Sequence, residues 1–264
     1  MSSDLPFERA LLETFLKPIG VCRTFKPAFG LAKDGGVSYS EFQNIYGSDP
    51  FYSWIGLNSP DVYKAHRALG GLTSLYRQLG VASERVFRQV LQEKLALTRD
   101  QLQWSYQYDK GAGKQAEHTL DACIPISALS EESGSRMREW ISKCSPNLPS
   151  ETVKGVVFEV RQGYKSADSK RQNADLRFGV NAFSNGYLPA FAIFSTQVNK
   201  AVVKRYRGSG MTVLTGSNSG DPTVSTFAFI EAITKYDLGD FFSRYQQEIT
   251  SEVQKIISAL LSTS

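Results

Sequence analysis

Residues 153–161, Val-Lys-Gly-Val-Val-Phe-Glu-Val-Arg, constrain this chain more than any other segment: an apolar run that closes on an acid and a base. A run of this length, rich in β-branched residues, reads as a buried β-strand. Side chains alternate along a strand, so Val156, Phe158 and Val160 face one side while Val157, Glu159 and Arg161 face the other. One face is wholly apolar, and the other carries an acid and a cation in one small patch.

The segments around this strand supply a sheet and its cover. A first helix is expected near residues 7–17, and little else can be assigned before residue 60 among scattered aromatics, Gly, Pro and Ser. From Pro60 the pattern turns helical, and Phe87, Val90, Leu91 and Leu95 share one face. Residues 102–108 and 118–126 read as two strands of a hairpin around the turn-like 109–114. A polar helical insertion at 130–145 follows, and then the 153–161 strand. Beyond it the order is helix 169–184, strand 188–195, basic helix 199–207, strand 211–215, helix 225–236 and a C-terminal helix 241–261. That order predicts an α/β fold: a mixed central sheet flanked by helices, antiparallel in its first half and parallel in its second. Two regions are expected, an irregular and helical N-terminal accessory region over residues 1–69 and a core over 70–264.

Global properties narrow the class. The 264 residues, 41% of them hydrophobic, suffice for one real core, and a net charge of +4 leaves any nucleic-acid argument to local clustering. Cys22, Cys123 and Cys144 are odd in number and far apart, with two histidines (His66, His118) in the chain, which disfavours a disulfide framework and a zinc site. No window approaches the roughly 20 apolar residues of a membrane span. A reducing, cytoplasmic location is the expectation.

The candidate chemistry lies in the carboxylates. Asp121 falls inside the expected 118–126 strand, where an unpaired carboxylate is costly unless a base or a bound cation offsets it. Asp121 and Glu159 on neighbouring strands offer the oxygen ligands that Mg2+ takes, with water and substrate phosphate in the remaining positions. Taken alone, Glu159 and Arg161 are the kind of pair most often found on a solvated surface, and Asp121 the kind found at a sheet edge. Glu84 shares a helical face with Phe87 and Leu91 and is expected to be partly buried against Arg85, Arg88 or a strand.

Basic residues form two groups. Lys165, Ser169, Lys170 and Arg171 run from the Glu159 strand into a helix start capped by Asp168 or Ser169, where free amides favour an anion such as phosphate. Gln172 and Asn173 have the groups that read base edges, or are solvated helix residues. Lys200, Lys204, Arg205 and Arg207 crowd a second helix beside Tyr206.

In this order the residues resemble a family. Gly80-Val-Ala-Ser-Glu84 on a helix, Asp121 on a hairpin strand and Glu159-Val-Arg161 on the next are similar to the PD-(D/E)XK nuclease pattern, whose αβββαβ core carries an acid on its first helix, an Asp on its second strand and E-x-K on its third. The later GYKSADSKRQNADLRFG and LPAFAIFSTQVNKAVVKRYRGSGMTVLTG look like type II restriction endonucleases. The resemblance spans roughly residues 70–216.

It implies Asp121 and Glu159 as Mg2+ ligands, with Glu84, Arg161 and Lys170 as further catalytic candidates. It also implies that Lys165, Ser169, Lys170, Arg171, Gln172, Asn173, Lys204 and Arg205 contact DNA. The chain departs from the pattern in three places. Arg161 stands where the lysine is expected and cannot serve as a base, Leu120 replaces the proline before Asp121, and an insertion separates Asp121 from Glu159 and leaves Glu151 as an alternative first acid. The implied activity is Mg2+-dependent, sequence-specific double-strand DNA cleavage by a homodimer. The alternative is a catalytically inactive DNA-binding protein on the same fold. A nucleotide- or sugar-metabolising α/β enzyme is a third reading, and the absence of GxGxxG and GxxxxGK[ST] counts against it.

Overall fold

The computed structural model describes residues 4–31, 35–111, 113–164 and 168–262. The chain is mixed α/β and divides into two compact units, residues 1–82 with 243–264, and residues 83–242.

The first unit is helical. Helix α1 (Leu5–Gly20) buries Leu11, Leu12, Phe15 and Ile19, the i, i+1, i+4, i+8 stripe of an amphipathic helix. Two short helices follow, α2 (Tyr39–Gly47) and α3 (Pro50–Trp54). Ser38 and Glu41 form a reciprocal capping box at the start of α2, and Asp49 caps α3. Phe29, Phe42, Tyr46 and Tyr63 pack into an aromatic cluster in which the Tyr63 hydroxyl donates to the Val37 carbonyl at 3.0 Å. Helix α4 (Pro60–Leu95) begins in this unit and contributes the buried Arg67, whose Nε and Nη1 donate to the Phe25 and Ser262 carbonyls.

The second unit holds both sheets. Strands β1 (Ser105–Asp109) and β2 (Gln115–Thr119) pair antiparallel as a separate two-stranded ribbon. The central sheet contains β3 (Ala122–Pro125), β4 (Gly155–Arg161), β5 (Tyr187–Ile193) and β6 (Thr212–Leu214), in that spatial order. β3 runs antiparallel to β4, and β4–β5 and β5–β6 are parallel, as the alternation of strands and helices predicts.

Helices α5 (Glu131–Cys144), α6 (Ser169–Ser184), α7 (Lys200–Gly208) and α8 (Thr226–Thr234) cover the sheet. On one face Phe158 meets Phe87 of α4 and Phe229 of α8, and Trp140 of α5 packs on Phe229 at 4.7 Å. On the other, Val157, Phe191 and Val213 pack with Phe178 of α6 and Tyr206 of α7. Gly155 is required where β4 passes β3, because a Cβ there would lie 2.3 Å from the Ile124 carbonyl oxygen.

The chain closes with α9 (Leu238–Arg244) and α10 (Gln246–Leu260), and Ile256 and Leu260 of α10 are buried in the first unit. A Cβ on Gly71 would meet Leu260 at 2.3 Å, so the small residue permits close packing there. No helix among the described residues is long and apolar enough to cross a membrane.

Two expectations need correction. The strand expected over residues 118–126 is two strands in different sheets, broken by a bend at Leu120–Asp121. The break is fixed because Leu120 is buried with its N–H on the Trp104 carbonyl, while the Cys123 N–H binds the Leu102 carbonyl. Glu159 therefore lies on the fourth strand in sequence order. The single C-terminal helix expected over 241–261 is likewise two, divided at the buried Tyr245.

Candidate functional site

The register of the central sheet brings the two acids together. Ala122 is opposite Phe158, so one step back along β3 places Asp121 opposite Glu159. Asp121 is at the bend, outside the ladder, and its Oδ2 accepts the Val160 N–H at 2.7 Å, taking the bond a strand carbonyl would otherwise accept. Its carboxyl is pushed up to about 7, first by burial and next by Glu159, against the Val160 hydrogen bond. Glu84, half-buried on α4, adds to the repulsion and pairs with Arg88 at 3.5 Å.

Glu159 is 9% exposed. Its Oε1 lies 2.9 Å from His118 Nε2 on β2, and its Oε2 lies 3.5 Å from Arg161 Nη2. The hydrogen bond to Glu159 raises the His118 pKa, outweighing the opposing effect of burial. The two-stranded ribbon thus contributes a site contact that sequence reasoning missed; its signal was a histidine on the inward face of β2, in step with Ala116.

Arg161 also belongs to a buried network. Its Nη2 donates to Asp175 Oδ1 at 2.7 Å, and its guanidinium stands over the rings of Tyr164 (5.2 Å) and Phe191 (5.6 Å). Asp175 Oδ2 accepts from the Tyr164 hydroxyl at 2.9 Å and the Tyr206 hydroxyl at 2.6 Å. Burial pushes both tyrosine pKa values up, so both hydroxyls remain donors. Arg161 Nε is buried with no hydrogen-bond partner among the described residues. Asp175 was also missed, although a polar residue three before Phe178 and seven before Ala182 falls on the buried stripe of α6, where a charge needs a partner.

The basic residues divide. Ser169, Lys170 and Arg171 are exposed at the start of α6, with Arg171 over the Tyr164 ring at 5.1 Å. Asp168 caps this helix by accepting the Lys170 N–H at 2.9 Å, so one amide expected to face phosphate is already bonded. Gln172, a candidate base reader, is buried, and its Oε1 accepts from Arg205 Nη1 at 2.8 Å. Arg205 Nη2 reaches Asn173 Oδ1 at 3.4 Å, and Lys204 is exposed on α7. Lys165 lies outside the described residues. Glu151, the alternative first acid, is exposed in a turn and accepts from the Ser150 hydroxyl.

No family model, curated protein or solved structure matches the chain.

Among the described residues, no group of three or more His, Cys, Asp or Glu side chains forms a metal cage. The donor set instead suits a cation that keeps much of its water: two carboxylates opposite each other in register, Asp121 in the field of Glu159 and of Glu84. Mg2+ is commonly bound by one or two carboxylates plus phosphate and water, and the pair fits it.

Proposed function

We propose that this protein is a Mg2+-dependent, sequence-specific double-strand DNA endonuclease of the type II restriction kind, built on a PD-(D/E)XK-like core. The observation that carries the reading is the juxtaposition of Asp121 and Glu159 where β3 begins beside the C-terminal end of β4. A buried carboxyl raised by its burial and by a neighbouring acid, as Asp121 is, is costly to the fold and suited to phosphodiester chemistry.

Asp121 and Glu159 would hold the ion. The ion they would hold would supply a water of lowered pKa and a polarised phosphoryl oxygen. Lys170 and Arg171 draw the DNA backbone to the start of α6, with Lys204 and Arg205 extending that surface onto α7. Asp121, held by the Val160 N–H, keeps its orientation before substrate arrives. Arg161 is held by Asp175, and Lys170, exposed in the first turn of α6, is placed to meet a phosphate. A homodimer in the cytoplasm, matching a palindromic site with its own two-fold axis, completes the reading.

The test is incubation of the protein with a long DNA of known sequence and Mg2+, followed by sequencing of the fragment ends. The reading predicts discrete ends at one short sequence and intact DNA in EDTA. Intact DNA at every Mg2+ concentration overturns it. Binding without cleavage would favour the inactive DNA-binding alternative, which the engagement of Arg161 by Asp175 makes physically intelligible.

A further inference from the structure

Arg161 stands between two carboxylates, and the two distances differ. Its Nη2 is bonded to Asp175 at 2.7 Å and lies 3.5 Å from Glu159. The Arg161 and Asp175 side chains are 11% and 5% exposed, so water screens neither strongly. A guanidinium free to settle on Glu159 would neutralise that acid and compete with any cation for its oxygens. Asp175 takes the shorter bond and keeps the Glu159 contact at 3.5 Å, and Asp175 is itself fixed by the Tyr164 and Tyr206 hydroxyls on its other oxygen.

We infer that Asp175 is a positioning residue for the metal site: by taking the closer bond to Arg161 it leaves Glu159 Oε2, the oxygen not bonded to His118, open to a divalent cation. The inference rests on the reading of Asp121 and Glu159 as metal ligands. It also accounts for an arginine where the family pattern has lysine. In that place an arginine needs a carboxylate of its own on α6, and Asp175 supplies one. Partners one shell out from a ligand commonly change metal affinity by about 10–100-fold when removed, and the lower end applies here because Arg161 moves less than 1 Å to close on Glu159 as a normal hydrogen bond (3.5 Å to about 2.8 Å).

The experiment is a titration of the full chain with Mn2+, which suits the same carboxylate and water ligands as Mg2+, following free Mn2+ by electron paramagnetic resonance with no DNA present. The wild type is expected to bind Mn2+, and Asp175→Asn to raise its Kd about tenfold. With Arg161→Gln already in place, Asp175→Asn is expected to change Kd by less than about twofold, because the competing cation is gone. Tyr206→Phe, which disturbs the same network without removing a charge, should leave Kd within about twofold of wild type.

An unchanged Kd in Asp175→Asn, an equal loss in both backgrounds, or a Tyr206→Phe loss as large as that of Asp175→Asn overturns the inference while leaving the metal site standing. Absence of Mn2+ binding by the wild type overturns the metal site and the inference together. Should Asp175→Asn fail to fold alone, the double variant leaves neither charge buried without its partner. It is expected to bind Mn2+ at least as tightly as wild type, and weaker binding contradicts the inference.

Discussion

In each of the two units a buried acid takes an arginine and a buried tyrosine, and the two arrangements differ: the Arg244 side chain is 45% exposed and that of Arg161 11%. In the helical unit Glu8 receives Arg244 on both oxygens, at 2.6 and 2.5 Å, with the Tyr245 hydroxyl 3.5 Å away. Glu8 takes a bidentate base, and Arg9–Glu248 and Arg23–Glu252 add ion pairs between α1, the 3-10 turn after it and α10, with Lys255 3.9 Å from Glu252. In the sheet unit Arg161 serves Asp175 and also lies near Glu159, with Asp121 raised to about 7 alongside. A bidentate pair fastens a fold, whereas buried carboxylates set beside one another impose a cost that a bound cation relieves.

The first way to break this comparison is to remove one arginine. Arg244→Ala leaves Glu8, 4% exposed at its side chain, without its bidentate partner and should cost about 3 kcal/mol in urea unfolding. Glu8→Ala should cost less, because Arg244 is 45% exposed and can return to water. Equal losses would mean that packing, not charge, sets the value of that site.

Removing an acid from the other cluster should do the opposite. A carboxyl raised to about 7 keeps its proton in the folded chain where the unfolded chain has lost it, so its contribution is most favourable below about pH 4 and is lost as pH rises to 7. Asp121→Asn can still accept the Val160 N–H and should stabilise the protein by about 2 kcal/mol at pH 8, with the gain gone near pH 4. His118 acts in the same direction: its raised pKa gives stability that is present below its usual 6.5 and is lost as pH rises through the folded value. A wild-type protein more stable at pH 8 than at pH 5.5, measured without metal, would contradict both.

The smallest effect separates exposed from engaged cations. Lys170→Ala should weaken DNA binding several-fold and reduce the salt slope by about 1, the signature of one lost phosphate contact. Gln172→Ala should instead act through Arg205, lowering stability by about 1 kcal/mol, because it removes a bond at a buried position. The reverse pattern would place DNA on a different face.

What was legible in the sequence follows from how local each signal is. Residues 155–161 alternate cleanly, and both the strand and the two faces it presents are as periodicity predicts. The bend at Asp121 was not legible because Leu120 and Ala122 continue an apolar pattern, and only contacts with Trp104 and Leu102, distant in sequence, break the strand. Helix α2 was legible and passed over: Ser38-Tyr39-Ser40-Glu41 is a capping-box sequence. The pairing of Arg161 with Asp175, and of Glu159 with His118, is set by how β2, β4 and α6 pack, which no spacing along the chain encodes.

The central claim is that Asp121 and Glu159 form a cation site for cutting DNA, and Glu159→Gln tests it most directly. The measurement sets Mg2+-dependent cleavage of a long DNA by wild type and variant beside the DNA affinity of each. The account predicts cleavage by the wild type, a loss of at least about a thousandfold in the variant because a ligand used only in the chemical step is gone, and DNA affinity equal to or above wild type. Full cleavage by Glu159→Gln, or parallel loss of cleavage and binding, would contradict it.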